Sequence, residues 1–143
     1  MTDNSPFQID SLSAQDPKLG HAPLGGLISQ AAGSRVKDLV QNALDQGANI
    51  LAGNFDVKGA VVQPLVLDGV KDDMDIFHQE SFGPTVALFE FDTVDEAIRL
   101  ANDTDYGLVS SVYSENVAEA LAVARQIKSG SCHINGPTVH GVF

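Results

Sequence analysis

Apolar runs of strand length alternate with amphipathic helical runs through the second half of the chain. The segments TVALFEF, LVSSVYS and SCHIN are typical of buried strands, and one helical pattern lies between each pair. Thr93 and Glu96 have the spacing of a capping box at the start of the first helix, and Gly130 follows the second. Because helical crossovers join parallel strands, we predict an α/β fold with three-layer βαβ units around a mainly parallel sheet.

The first half predicts one helix followed by short strands. Apolar residues such as Val36 and Val40 recur at helical spacing from Ser29 onward, and Gly47 stands where a helix C-cap is expected. The runs NILAG and AVVQPLVL then predict strands. Pro64 removes a backbone donor from the second run, so this strand is expected at a sheet edge or in a bulge.

Residues 1–23 are rich in Ser, Asp, Pro and Gly, and we expect them to form an arm or loop beside a domain of residues 24–143. The net charge of −11 disfavours nucleic acids and anionic membranes as partners. No apolar run reaches the length of about 20 residues that a membrane helix needs. The start MTDNSPFQID lacks the pattern of a secretion signal, and one cysteine cannot form an internal disulfide, so a cytoplasmic location is expected.

The single cysteine, Cys132, is followed directly by His133 in the predicted strand SCHIN. Successive side chains of a strand point to opposite faces, so these two cannot act on each other as nucleophile and base. Unpaired cysteines are commonly buried, and we therefore predict that Cys132 is an inert core thiol.

The histidines are His21, His78, His133 and His140, and no two of them have the spacing of metal ligands on one helix. No cysteine pair is present to complete a zinc site. We therefore predict no bound metal.

Polar residues at the end of the last predicted strand are candidates for a ligand site. In open parallel sheets, ligands bind beyond the carboxyl ends of the strands, where the segment NGPTVH lies. Asn135 is then a candidate hydrogen-bond donor, and His133 or His140 a candidate proton carrier. The alternative is that the Asn-Gly-Pro sequence is simply a turn. Glu80, in HQESFGP, is a candidate acid or base, and its alternative role is that of a solvated loop carboxylate.

The segment QESFGPTVALFEFDTVDEAIRLANDTDYGLVSSVYSENVAEALAVARQIKSGSCHINGPTVH resembles the catalytic domain of NAD(P)-dependent aldehyde dehydrogenases. The resemblance is strongest to the benzaldehyde, salicylaldehyde and vanillin dehydrogenase branch. The stretches LGGLISQAAGSRVKDLVQNALDQGANILAG and QPLVLDGVKDDMDIFHQE extend it, so that it runs from about Leu24 to His140. It implies an aldehyde dehydrogenase-like catalytic domain, of which the chain is a minor part.

The resemblance also implies which functional groups are to be expected. Family members use a Rossmann-like nucleotide domain, a general-base glutamate and a nucleophilic cysteine, which correspond to positions before this chain starts. Cys132 matches an apolar strand residue of the family, and the Phe-Gly-Gly segment and dimerising C-terminal strand are not found. Glu80 and Phe82 match the pair that contacts the nicotinamide ribose and ring. Without the nucleotide domain this pair is expected to be vestigial, and no cofactor is expected.

These inferences lead to one main hypothesis and two alternatives. The main hypothesis is a stand-alone, truncated domain that performs cofactor-independent chemistry on a small, largely apolar molecule, with His133, Asn135 and Glu80 as its polar groups. Isomerisation, dehydration and cyclisation, including a pericyclic one, are the reactions considered. Surfaces left uncovered in such a domain predict a homo-oligomer. The alternatives are a non-catalytic, partner-binding remnant and a fragment of an NAD(P)-dependent dehydrogenase.

Overall fold

The computed structural model describes residues 8–138. The chain divides into two compact units, Met1–Glu90 and Phe91–Phe143. The elements of the first unit are a 3-10 helix (Gln8–Ser11), α1 (Gln30–Asp45), β1 (Asn49–Gly53), β2 (Val57–Lys58), β3 (Val61–Val62), β4 (Leu65–Asp68), α2 (Asp75–His78) and β5 (Thr85–Ala87). Those of the second are α3 (Val94–Asn102), β6 (Val109–Val112), α4 (Val117–Ala124) and β7 (Ser131–Ile134).

The strands pair in both directions. In the first unit β4 lies between β1, which is antiparallel to it, and β5, which is parallel. Strands β2 and β3 form an antiparallel hairpin. In the second unit β6 and β7 are parallel, with α4 as the connection. The predicted α/β class with parallel strands is confirmed, although the three-stranded sheet is mixed because β1 joins it in the antiparallel direction.

Helix α1 packs its apolar face into the core of the first unit. Its N-cap is Ser29, whose Oγ accepts a hydrogen bond from the Ala32 amide at 3.1 Å. Gly47 follows the end of the helix with a φ of 101°, as expected of a C-terminal glycine. The buried apolar residues that form the core are Val36, Val40, Ala43, Ala48, Val62, Leu65, Leu67, Val70, Met74 and Ile76.

The edge position expected for the proline-containing strand is wrong. The run AVVQPLVL divides into β3 and β4, and β4 is the central strand of its sheet, with Leu65 and Leu67 fully buried. Pro64 precedes β4, so its missing N–H removes no bond from that ladder. The irregularity in register lies in β1 instead, between Ile50 and Ala52.

The second unit confirms the predicted strand and helix order. Thr93 Oγ1 accepts a hydrogen bond from the Glu96 amide at 3.2 Å, and Glu96 in turn accepts one from the Asp92 amide at 3.0 Å. Helix α4 ends at Ala124, well before Gly130, which the sequence predicts to follow it directly. Ala120 is its only fully buried residue among those described.

The described part of the predicted N-terminal arm is bound to the first unit. Ala14 is buried, and its backbone bonds to the side chain of Gln63. The Ala14 N–H donates to Gln63 Oε1 at 2.9 Å, and Gln63 Nε2 donates to the Ala14 carbonyl at 2.8 Å. The proposed boundary after residue 23 stays a prediction. Over residues 8–138, no helix is both long and apolar enough to cross a membrane.

Candidate functional site

Phe82 adopts a backbone conformation that is unfavourable for any residue with a side chain. Its φ is 51°, in the left-handed region, and the residue is 77% exposed. Left-handed backbone costs a non-glycine residue roughly 1–2 kcal/mol, so neighbouring contacts must hold it in place. We refer to residues 80–84, which carry this conformation directly before β5, as the Phe82 loop.

An arginine of helix α1 holds the upstream side of the Phe82 loop. Arg35 Nη1 donates a hydrogen bond to the carbonyl oxygen of Glu80 at 2.6 Å and lies 3.5 Å from the carbonyl oxygen of Ser81. These contacts join residues 45 and 46 positions apart in the sequence. A charged donor makes a stronger hydrogen bond than a neutral one, so the loop backbone is well anchored here.

Close packing against the same helix holds the downstream side. A Cβ added to Gly83 would lie 2.8 Å from Cγ2 of Val36, so glycine permits the loop to touch α1. The Gly83 amide donates to Ser81 Oγ at 3.3 Å. The Pro84 carbonyl then accepts from the Leu65 amide at 3.0 Å, where β5 begins to pair with β4.

The Phe82 loop presents two groups to solvent. Glu80 is an exposed residue, and Phe82, two residues later, is exposed as well. An aromatic ring can pack on a planar heteroaromatic group, and a carboxylate accepts hydrogen bonds from hydroxyl groups. The loop can therefore contact a ligand that has both a planar ring and hydroxyls.

The structure places the other two candidate residues in the second unit, while Glu80 lies in the first. His133 is half-buried within β7, opposite Ser111 of β6. Asn135 follows directly after the strand, with a φ of 52°. These two residues are thus near one end of the parallel pair.

The side-chain amide of Asn135 is bonded to the backbone of Ser114, two residues after the end of β6. Its Oδ1 accepts from the Ser114 amide and its Nδ2 donates to the Ser114 carbonyl, both at 2.9 Å. Ser111 Oγ also donates to the carbonyl of Gly136 at 2.6 Å. Asn135 therefore ties the ends of the two strands together, which accounts for its left-handed backbone.

The remaining sequence predictions have mixed outcomes. Cys132 is half-buried rather than a fully buried core residue, and its Sγ lies 3.8 Å from the His133 carbonyl. His21 is exposed, and His78 Nε2 bonds to the Asp72 carbonyl at 2.7 Å. His140 lies outside the described residues.

Between residues 8 and 138, no group of three His, Cys, Asp or Glu side chains is placed to hold a metal ion. Arg35 is the site residue that sequence reasoning missed. Its partners are distant in the chain, and an exposed arginine on a helix carries no local signal of such a contact.

Residues 7–142 match the model of the aldehyde dehydrogenase family. The chain belongs to the aldehyde dehydrogenase family. The resemblance recognised in the sequence is thereby confirmed, and the match begins upstream of Leu24.

Among curated aldehyde dehydrogenases, the vanillin dehydrogenase of Pseudomonas fluorescens is 38% identical over 133 residues, which are 93% of this chain and 27% of that protein. The salicylaldehyde dehydrogenase of Pseudomonas putida is 40% identical over 90% of this chain and 26% of its own length. The benzaldehyde dehydrogenase of Bacillus subtilis is 34% identical. The chain thus spans about a quarter of the length of these relatives.

Solved aldehyde dehydrogenase structures share the fold of the chain. The salicylaldehyde dehydrogenase of Pseudomonas putida G7, complexed with salicylaldehyde, has a TM-score of 0.87 and 39% identity, and the match covers 94% of this chain and 28% of that one. An aldehyde dehydrogenase of Pseudomonas syringae, complexed with NAD+ and octanal, has a TM-score of 0.82 and 32% identity over 92% of this chain and 28% of its own.

Proposed function

We propose that the chain forms the nicotinamide-facing part of an aldehyde dehydrogenase catalytic domain, and that it serves the NAD(P)-dependent oxidation of small aromatic aldehydes. The observation that carries this proposal is the Phe82 loop, in which an exposed ring is held in an unfavourable backbone conformation. Such strain persists where the surrounding contacts impose it, and it is commonly found at ligand sites. Glu80 and Phe82 are the positions that match the nicotinamide-contacting pair of the family.

The residues of the loop fit this role chemically. The ring of Phe82 would pack against the nicotinamide, and the carboxylate of Glu80 would accept hydrogen bonds from the ribose hydroxyls. When bound, NAD(P)+ supplies the hydride acceptor. The role of this chain is to orient the hydride acceptor, because Arg35 and Val36 restrict the position of the Phe82 loop.

The proposed substrate class rests on the relatives. Proteins named for vanillin, salicylaldehyde and benzaldehyde are 34–41% identical to this chain, and one of the matching structures contains salicylaldehyde. All three compounds are small aromatic aldehydes, and we propose this class for the complete catalytic domain.

A chimeric enzyme tests this proposal. In it, this chain replaces the matching segment of the Pseudomonas putida salicylaldehyde dehydrogenase, and NAD+ reduction is followed with salicylaldehyde. We expect the chimera to turn over and Phe82→Ala to lower kcat by about 100-fold, because a small misplacement of the reacting group has costs of that order.

Phe91→Ala, which removes another exposed aromatic ring, is the matched control and should leave kcat unchanged. An active chimera in which Phe82→Ala has no more effect than Phe91→Ala would contradict the proposal.

A second proposal is the cofactor-independent conversion of a small, largely apolar molecule by the chain alone. It is supported by an open cleft that Tyr113, Ser114, Glu115 and Asn135 line at the ends of β6 and β7, next to the strand that carries His133. His133 is the group we propose for proton transfer there. Participation by Glu80, self-association into a homo-oligomer and a cytoplasmic location stay predictions.

The test uses the full chain without NAD(P), incubated with a panel of apolar aldehydes, dienes and hydroxylated compounds. We expect at least one compound to be converted, with the rate lost in His133→Gln and kept in His21→Gln. Product analysis by mass spectrometry provides the measurement. Absence of conversion across the panel, or equal rates in the two variants, would count against this second proposal.

A further inference from the structure

Arg35 has a position from which it can control the Phe82 loop without belonging to it. It is an exposed residue of α1, and its guanidinium group bonds to the main-chain carbonyl of Glu80 and approaches that of Ser81. Both carbonyls precede Phe82 in the chain. The arginine therefore acts on the backbone that sets the direction in which Phe82 leaves the loop.

The residue after Arg35 completes the restraint. Val36 is fully buried and contacts Gly83, on the other side of Phe82. Two consecutive helix residues thus hold the loop on both sides of its left-handed residue. The contact with Val36 keeps the Phe82 loop from moving closer to α1. The hydrogen bond from Arg35 keeps the loop from moving away from α1.

We propose that Arg35 is a positioning residue of the nicotinamide site, which holds the Phe82 ring and Glu80 in the place where they meet the cofactor. This inference rests on the proposed function of the Phe82 loop. Because the Arg35 guanidinium bonds to main-chain carbonyl oxygen, its role is to place the backbone of the loop.

The chain contains no tryptophan and two tyrosines, so Phe82→Trp introduces a single tryptophan into the Phe82 loop, and its fluorescence is excited selectively at wavelengths that tyrosine does not absorb. In this background Arg35→Met removes the donors and retains the aliphatic stem. We expect the population of loops detached from α1, relative to loops held against it, to rise about tenfold. This is the effect of losing one hydrogen bond from a charged donor. Lower fluorescence anisotropy and faster acrylamide quenching measure this change.

Two further variants separate positioning from general effects of charge or stability. Lys37→Met removes a positive charge from an exposed residue of the same helix and should leave both fluorescence readouts unchanged. Arg35→Lys retains a charged donor and should restore most of the anisotropy. Far-UV circular dichroism and the Tm of each variant establish that the fold is kept. The role of Arg35 would be overturned if Arg35→Met left the anisotropy unchanged, or if Arg35→Met and Lys37→Met lowered the anisotropy equally.

The chimeric enzyme distinguishes failure of this inference from failure of the proposed function. In the chimeric enzyme we expect Arg35→Met to lower kcat about tenfold and to leave the KM for salicylaldehyde unchanged, because the Phe82 loop orients the cofactor only while Arg35 holds it in place. If kcat depends on Phe82 and is unaffected by Arg35→Met, only the role of Arg35 is overturned. If kcat is independent of Phe82, the proposed function fails, and the fluorescence measurements on the isolated chain still report whether Arg35 holds the loop.

Discussion

Gly53→Ala is expected to destabilise the first unit by about 2–5 kcal/mol, the sum of the costs of a left-handed backbone and of overpacking against the neighbouring strand. The φ of Gly53 is 83°, and its ladder partner is Leu65, in the central strand β4. An added Cβ would overlap the carbonyl oxygen of Pro64 and lie 2.9 Å from Cα of Leu65. The decrease in the free energy of unfolding is measured by urea denaturation, with circular dichroism as the signal.

Gly47→Ala is the matched control for this substitution. Gly47 is also left-handed, with a φ of 101°, and nothing lies within 4 Å of the position of its Cβ. Only the backbone cost of about 1–2 kcal/mol is therefore expected. Equal decreases in the free energy of unfolding of the two variants would show that the close approach of β1 to Pro64 does not contribute to the effect of Gly53→Ala.

Gly33→Ala is expected to destabilise the same unit by up to about 2 kcal/mol, because an overpacking cost of about 1–3 kcal/mol is partly offset by the gain of about 1 kcal/mol from the higher helix propensity of alanine. Gly33 lies inside α1, and its Cβ would overlap the carbonyl oxygen of Gly59 and lie 3.5 Å from Cα of Ala60. The helix would have to move away from the turn between β2 and β3. Thermal unfolding checks the sign of the effect.

Ser34→Ala is the control for Gly33→Ala, because Ser34 is exposed on the same helix. Its stability should change by no more than about 0.5 kcal/mol, in the stabilising direction. A gain of stability in Gly33→Ala similar to that in Ser34→Ala would mean that α1 does not pack against the turn as described. Displacement of α1 would also move Arg35, so the anisotropy reporter at position 82 should change in Gly33→Ala alone.

The two proposed functions use different parts of the chain. Oxidation with NAD(P) relies on the Phe82 loop of the first unit, whereas cofactor-independent chemistry relies on His133 in the second. The Asn135 amide, expected at first to contact a ligand, has both its polar atoms bonded to Ser114. The geometry therefore gives more support to the Phe82 loop, where the aromatic ring of the left-handed residue is exposed.

Helices, caps and the order of elements could be predicted from the sequence because they depend on neighbouring residues. The apolar spacing in α1 and the Thr93–Glu96 capping box both involve positions within one or two helical turns. Glu80 and Phe82 could also be named as candidate site residues, since they belong to a short segment that resembles its family counterpart. The family was therefore recognisable before the arrangement of the chain in space was known.

Only the tertiary structure decided how these elements meet. The central position of β4 depends on pairing with both β1 and β5, which a proline in the run did not reveal. The hydrogen bond from Arg35 to the Glu80 carbonyl joins residues 45 positions apart, and the bonds between the Asn135 amide and Ser114 span 21 residues. Such contacts form between groups that have no local relation in the sequence, so the folded chain is needed to bring them together.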